Sequence, residues 1–395
     1  MKVRAVLLVL VCSTVTLGLG SRASAQDGSS LAPPVGHPWQ MRNATAARTG
    51  QSASVGATVG QLDWRVHIAG YVPQIAVAQD GSIYLGTVFN ENDWNNESYA
   101  YALTSTGAIK WRQKVTPYEW GASQGTSGGP AVDDAGNVLI PSTNTALVKL
   151  SSEGDPIWVY QGNPQAIIQG SPAVLPDQTI RHTIFPASLL GLDSAGATLF
   201  TGAAQNASAT VSVAANGDMA LSGVRTQEPH GSKDIQYFNP DGTLRWEKTS
   251  ANGAQGTPVF GPDGILYAPF LAKAFFPDGT VKWTTDVGAS TAALGNNGVL
   301  YFPSSGVVAV AAVTGLRLWT TPIPGGVRQD PAVDALGNVF VTTVDGKLWS
   351  VSPTGGINWS LQVCDKFLTG PVIAAGGRVV AAGISGYQKF VFAVR

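Results

Sequence analysis

Gly-x-x-x-Trp, or a near variant, recurs along this chain with its tryptophan at Trp64, Trp111, Trp158, Trp246, Trp283, Trp319 and Trp359. The intervals are 47, 47, 88, 37, 36 and 40 residues. The double-length interval contains Gly196-Ala197-Thr198-Leu199-Phe200, where Phe200 takes the tryptophan's place, so eight equivalent positions result. No other feature constrains the fold as strongly. A repeat of this length is one supersecondary unit that buries its faces only against its neighbours.

Within each repeat the same signals return in the same order. A Pro-Ala-Val-like start (Pro130-Ala131-Val132, Pro172-Ala173-Val174, Pro331-Ala332-Val333) leads to an Asp-x-x-Gly-like turn (Asp134-Ala135-Gly136, Pro262-Asp263-Gly264). Apolar runs such as Ile83-Tyr84-Leu85 and Leu348-Trp349-Ser350-Val351 follow, then a Gly turn and the tryptophan strand. Four strands per repeat make one propeller blade, and the sequence predicts an all-β, eight-bladed β-propeller of four-stranded antiparallel blades. With 47 Gly and 24 Pro, the composition favours short strands and tight turns over helices. Trp64, Trp111, Trp158, Phe200, Trp246, Trp283, Trp319 and Trp359 read as structural locks, each lying across the preceding turn and covering an otherwise exposed blade junction. The last repeat offers only three strands before the chain stops, whereas Gly60 to Val66 is an outer strand with no blade before it. Pairing the two closes the ring and removes open edges. Truncation at either terminus is then expected to destabilise the whole ring.

Lys2 and Arg4, the apolar run from Ala5 to about Gly20, and Ala23-Ser24-Ala25 have the layout of a cleavable signal peptide over residues 1–25. The expected organisation is therefore signal peptide, a flexible segment over 26–38, and the propeller over 39–395, in a secreted or periplasmic monomer. Cys12 lacks the small preceding residue of a lipidated cysteine, and Cys364 has no partner left for a disulfide. A net charge of −1 with 12% charged residues gives no support for nucleic-acid binding, and no later apolar run is long enough to span a membrane.

The blade formula resembles the repeat of the pyrroloquinoline-quinone (PQQ)-like propeller family, and Pro38-Trp39-Gln40-Met41-Arg42 with Ala47-Arg48-Thr49-Gly50 looks like the lead segment of its secreted members. Two branches of that family imply different functions. The quinoprotein alcohol dehydrogenases imply PQQ with Ca²⁺ on the axis beside an adjacent-cysteine disulfide, which this chain lacks. The BamB-type scaffolds imply a cofactor-free propeller presenting loops to a protein, although the lipidation cysteine is missing.

Candidate chemistry is sparse. His37, His67, His182 and His230 stand apart with no metal-ligand spacing, so no metal is expected. His37 and His67 read as surface residues, while Arg181, His182 and His230 are the candidates for a glycan-active hydrolase or lyase. No catalytic residue is assigned. Polar groups precede the innermost strand of several blades, at Gln124, Thr126, Gln169, Ser171, Gln255, Thr257, Gln329 and Asp330. They are expected to converge at one channel mouth, either to orient a ligand or to satisfy backbone groups. An insertion from Phe89 to Tyr99, with Asp93, Trp94 and Tyr99, and the exit residues Tyr118 and Trp120 form a candidate partner-binding loop; Glu91, Asp93 and Glu97 match no calcium loop. The leading expectation is an exported non-catalytic scaffold without cofactor, binding a protein or polysaccharide. The alternatives are a PQQ- and calcium-dependent dehydrogenase and the glycan-active enzyme.

Overall fold

Seven sheets of four strands and one of five follow one another along the chain, each antiparallel. The computed structural model describes residues 36–88, 98–115, 128–142, 146–161, 170–184, 188–204, 210–222, 233–249, 256–327 and 330–395. Leu31–Arg395 form one compact unit, and Met1–Ser30, a second, lie outside the described residues. Blade 1 runs outward from Ile75–Val77 through Ile83–Gly86 and Tyr99–Leu103 to Ile109–Lys114. Blades 2 to 7 start at Ala131–Val132, Ala173–Val174, Ser212–Val213, Val259–Phe260, Ala293–Leu294 and Ala332–Val333. Among the described residues the single helical element is a 3-10 turn, Pro269–Leu271, and no helix is long and apolar enough to cross a membrane.

The turns show why their residues recur. In blade 2 the Asp133 carboxylate accepts from the amides of Ala135 and Asn137, while Gly136 takes φ +81°. An Asp-capped turn with glycine at the left-handed position reverses the chain at little cost.

Ring closure is as the terminal strands require. Blade 8 consists of Val372–Ala374, Arg378–Ser385 and Gln388–Val394, and its outermost strand is Leu62–His67. The register sets Leu62 opposite Val394 and His67 opposite Phe390, and Arg378 donates to Asp63 at 2.7 Å. An additional short strand, Lys366–Phe367, pairs with the far half of Arg378–Ser385.

The eight aromatics are locks, but each reaches the next blade and not the turn of its own. A Cβ at Gly107 would stand 2.6 Å from the Trp64 ring, and Gly154, Gly196, Gly279, Gly315 and Gly355 meet Trp111, Trp158, Trp246, Trp283 and Trp319 in the same way. Gly242 faces Phe200, and Gly60 faces Trp359. Each of these glycines also holds a positive φ, so a side chain there is excluded twice. Every tryptophan of the set adds a hydrogen bond to the same turn, for example Trp111 to the Ser152 carbonyl at 2.8 Å. Within its own blade the lock packs on an aromatic of the second strand: Tyr84, Tyr267, Tyr301 and Phe340 lie 5.8 to 6.0 Å from Trp111, Trp283, Trp319 and Trp359. In blade 3 that position is Arg181, whose guanidinium sits 5.1 Å over Phe200.

Candidate binding site at the propeller axis

The innermost strand of a blade has no inner neighbour, so its backbone N–H groups face the axis and need acceptors. Residues 39–50 supply them. Val77 donates to the carbonyl of Trp39, Val132 to Gln40, Val213 to Ala46, Phe260 to Ala47, Leu294 to Thr49 and Val333 to Gly50, at 2.7 to 3.0 Å. The donors are the last residues of the innermost strands of blades 1, 2, 4, 5, 6 and 7, taken in chain order. The segment therefore circles the axis at the ends of the innermost strands. Positive φ at Asn43, Ala44, Arg48 and Gly50 bends it through this path. Gly50 is required there, because a Cβ would stand 2.9 Å from the Pro331 carbonyl oxygen.

At the opposite ends of those strands stands a ring of equivalent positions, two residues before the Ala-Val pair: Gln74, Gly129, Ser171, Thr210, Thr257, Thr291, Asp330 and Gly370. Its hydroxyls serve neighbouring backbones. Gly129 N–H donates to Ser171 Oγ at 2.7 Å, Ser171 N–H to Thr210 Oγ1 at 3.4 Å and Asp330 N–H to Thr291 Oγ1 at 3.0 Å.

Two arginines of the axial segment reach this ring. Arg42 donates to Thr210 Oγ1 at 3.3 Å and to Asp330 Oδ2 at 3.2 Å; Gln74 donates to the same oxygen at 3.0 Å. Arg48, wholly buried, donates to the carbonyls of Val211, Arg42, Ser171 and Pro172 at 2.9 to 3.1 Å. Burial pushes its guanidinium down to about 9, with the charge of Arg42 adding to the effect and Asp330 opposing it. Arg42 thus holds the carboxylate, and the buried Arg48 is left to carbonyl oxygens alone. Such a charge is tolerable only where carbonyl dipoles surround it, as they do here.

Of the polar groups expected at the mouth, Ser171, Thr257 and Asp330 occupy equivalent positions before their innermost strands, all buried. Gln124, Thr126, Gln169, Gln255 and Gln329 lie outside the described residues. Gln74, Thr210 and Thr291 complete the ring and escaped the sequence reading, although their offset from the strand start is the same. In the candidate partner loop, Asp93, Trp94, Tyr118 and Trp120, like Glu91, Glu97 and His230, lie outside the described residues. Tyr99 is half-buried, with the Arg112 guanidinium stacked 3.6 Å from its ring.

The histidines require correction. His182 cannot meet a substrate, because it is fully buried in the second strand of blade 3, and Arg181 is spent on Phe200. His37 is not a surface group either. Its side chain is 8% exposed and lies 3.5 Å from Asp134, and burial lowers its pKa against the pull of that carboxylate. His67 is exposed, as expected, and packs edge-on to Phe390.

Calcium takes six to eight oxygens, several from carboxylates. The ring offers one carboxylate, Asp330, already facing Arg42, and among the described residues no three His, Cys, Asp or Glu side chains group to hold a metal. In this arrangement the residues do not fit a divalent cation.

Similarity to known proteins agrees with the architecture. None of the curated proteins matches the chain by sequence. Among solved structures, a europium-containing methanol dehydrogenase superposes with a TM-score of 0.66 at 13% identity, covering 89% of this chain and 90% of its own. The quinohemoprotein alcohol dehydrogenase of Comamonas testosteroni gives 0.67 at 13%, covering 90% and 80%. BamB of Moraxella catarrhalis gives 0.56 at 17%, covering 85% and 98%. Identities this low speak to fold alone. A family profile described as outer membrane protein assembly factor BamB matches residues 95–268 and 231–391, which together take in most of the sequence. On that match, the repeat and the eight closed blades, the chain belongs to the PQQ-like β-propeller family.

Proposed function

We propose that this protein is an exported, non-catalytic scaffold that binds a protein partner through the loops at the face where the ring of Gln74, Ser171, Thr210, Thr257, Thr291 and Asp330 stands. The observation that carries this reading is the filled axis. The chain's own 39–50 segment occupies one end, and its Arg42 takes the one carboxylate of the ring. The polar groups that converge there serve backbone amides and arginines, which leaves recognition to the surrounding loops. Kinship with the BamB profile supports a protein as the partner over a polysaccharide. A photo-crosslinker at Tyr387, 95% exposed at a hairpin tip on that face, is expected to capture the partner, and one at Val313, 70% exposed in a turn at the opposite face, is not. Capture at Val313 alone would overturn the assignment of the face.

A second reading, a quinoprotein-type dehydrogenase, is favoured by the superposition on the two dehydrogenases. Incubation with PQQ and calcium followed by a dye-reduction assay separates the two. Turnover would sink the scaffold reading.

A further inference from the structure

His182 occupies a position that is apolar in each of the other seven blades: Leu85, Ile140, Leu221, Ala268, Phe302, Val341 and Ala381. The imidazole is wholly buried, and neither ring nitrogen has a hydrogen-bond partner among the described residues. The strand neighbours that share its side of the sheet, Ile180 and Ile184, pack in the apolar cluster that contains Met41 of the axial segment. Ala173 pairs with Arg181, so continuing the register sets His182 across from Pro172, whose carbonyl accepts from Arg48.

The charged group that faces this imidazole is Arg48, from the axial segment; Arg181 on its own strand points to the other side of the blade, over Phe200. Arg42 and Asp330 stand behind Arg48. The connections within and directly beside blade 3, 162–169, 185–187 and 205–209, contain no ionisable side chain, whereas 223–232 of blade 4 carries Arg225, Glu228 and His230 and 116–127 before blade 2 carries Glu119. Among the described residues no carboxylate is a hydrogen-bond partner of the imidazole.

We infer that His182 makes the seating of the axial segment acid-sensitive: a proton on the imidazole expels Arg48, and with it the stretch around residues 42–48, from the propeller axis. A protonated ring would place two N–H donors and a full charge beside a guanidinium, in a site where no described residue accepts from it. Relief comes from whichever neighbour is held more weakly. His182 sits on a strand paired along both edges, with five register pairs to Ser188–Leu192 alone. The axial segment is held by about one backbone bond per blade. The segment is the part that moves.

Hydrogen exchange tests this at about pH 6.5 and about pH 4.5, in the full chain and in His182→Leu, a residue that blades 1 and 4 already carry there. The reporters are the amides of Val213 and Phe260, which donate to the carbonyls of Ala46 and Ala47. Their protection is expected to fall about fiftyfold in acid in the native chain and to stay level in the variant, since an opening that exposes one histidine gains up to about tenfold per pH unit below the ordinary histidine pKa. The exchange should be insensitive to low urea, as a local opening requires. An equal fall in His182→Leu, or an acid-induced exchange that tracks urea like global unfolding, overturns the inference. Should His182→Leu fail to fold, His182→Gln removes the titration while keeping a polar side chain, and the same two outcomes decide.

Discussion

The indole of Trp359 donates to the carbonyl of Ala57, 302 positions earlier in the chain, at 3.2 Å. The same ring covers Gly60, whose Cβ, if present, would stand 2.6 Å from it at a φ of +71°. This contact is the blade-to-blade lock at the ring closure, made between the two ends of the sequence. Gly60→Ala is accordingly expected to cost about 2–4 kcal/mol, combining left-handed strain with displacement of an aromatic ring. Gly298 supplies the control, with a φ of +72° and nothing within 4 Å of a built Cβ. Gly298→Ala should cost only about 1 kcal/mol. Thermal unfolding of both variants checks the difference, and equal shifts would show that packing on Trp359 contributes nothing.

Phe200 is the one lock that cannot donate. Trp111 of blade 1 bonds the carbonyl of Ser152 in blade 2, two residues before its facing glycine. The equivalent acceptor opposite Phe200 is the carbonyl of Pro240, two before Gly242. Phe200→Trp is expected to gain this bond and raise stability by about 1 kcal/mol. A matched Phe200→Leu should lower it by removing the ring from both Gly242 and Arg181.

Lys149 and Asp133 form an ion pair at 2.9 Å with both side chains 7% exposed. The two ends are not equivalent. Asp133 also accepts from the amides of Ala135 and Asn137 and from Asn137 Nδ2, whereas Lys149 has the Ser194 carbonyl as its other acceptor. Asp133→Ala should therefore cost about 3–5 kcal/mol, since it strands a buried ammonium and undoes a turn. Lys149→Met leaves the carboxylate with three donors and should cost clearly less. Denaturation midpoints of the two variants give the comparison.

Acid should weaken the whole fold through His182. Burial, reinforced by the charge of Arg48, lowers its pKa from 6.5 to about 3. A base with a depressed folded pKa binds fewer protons folded than unfolded between those values, so stability is full above about pH 6.5 and falls as the pH drops toward 3. The slope from this one group approaches about 1.4 kcal/mol per pH unit. Melting temperature against pH should flatten over that window in His182→Leu, and an unchanged profile would refute the assignment.

The propeller was legible because its determinants are local and repeated. Gly-x-x-x-Trp, Pro-Ala-Val and Asp-x-x-Gly each act over a few residues, and the unpaired strands at the two ends forced the closure of Leu62–His67 on Gln388–Val394. The direction of the locks was not legible, since a tryptophan's spacing from its own turn says nothing about which turn it covers. The axis was legible only in part. Ser171, Thr257 and Asp330 announce themselves by their offset from the strand start, yet what fills the space between them is Arg42 and Arg48, in a segment that has no repeat. Arg48 bonds Val211 and Arg42 bonds Asp330 at separations of 163 and 288 residues. His182 was misread for a related reason. A histidine in an alternating strand gives no sign of which way it faces until the blades beside it are in place.

The path of residues 39–50 also bears on the order of assembly. The first part of the axial segment to be synthesised meets blade 1, and its last acceptor, Gly50, waits for Val333 of blade 7. The strand that follows it pairs with Gln388–Val394, the end of the chain. A nascent polypeptide can build its middle blades early, but Gly50 stays without its donor until Val333, and Leu62–His67 without its partner strand until Gln388–Val394, has been synthesised. High contact order of this kind slows folding and lengthens the time that apolar residues such as Trp39 and Met41 spend exposed. The same stretch that ties seven blades together at the end is thus the one most open to misassociation before it.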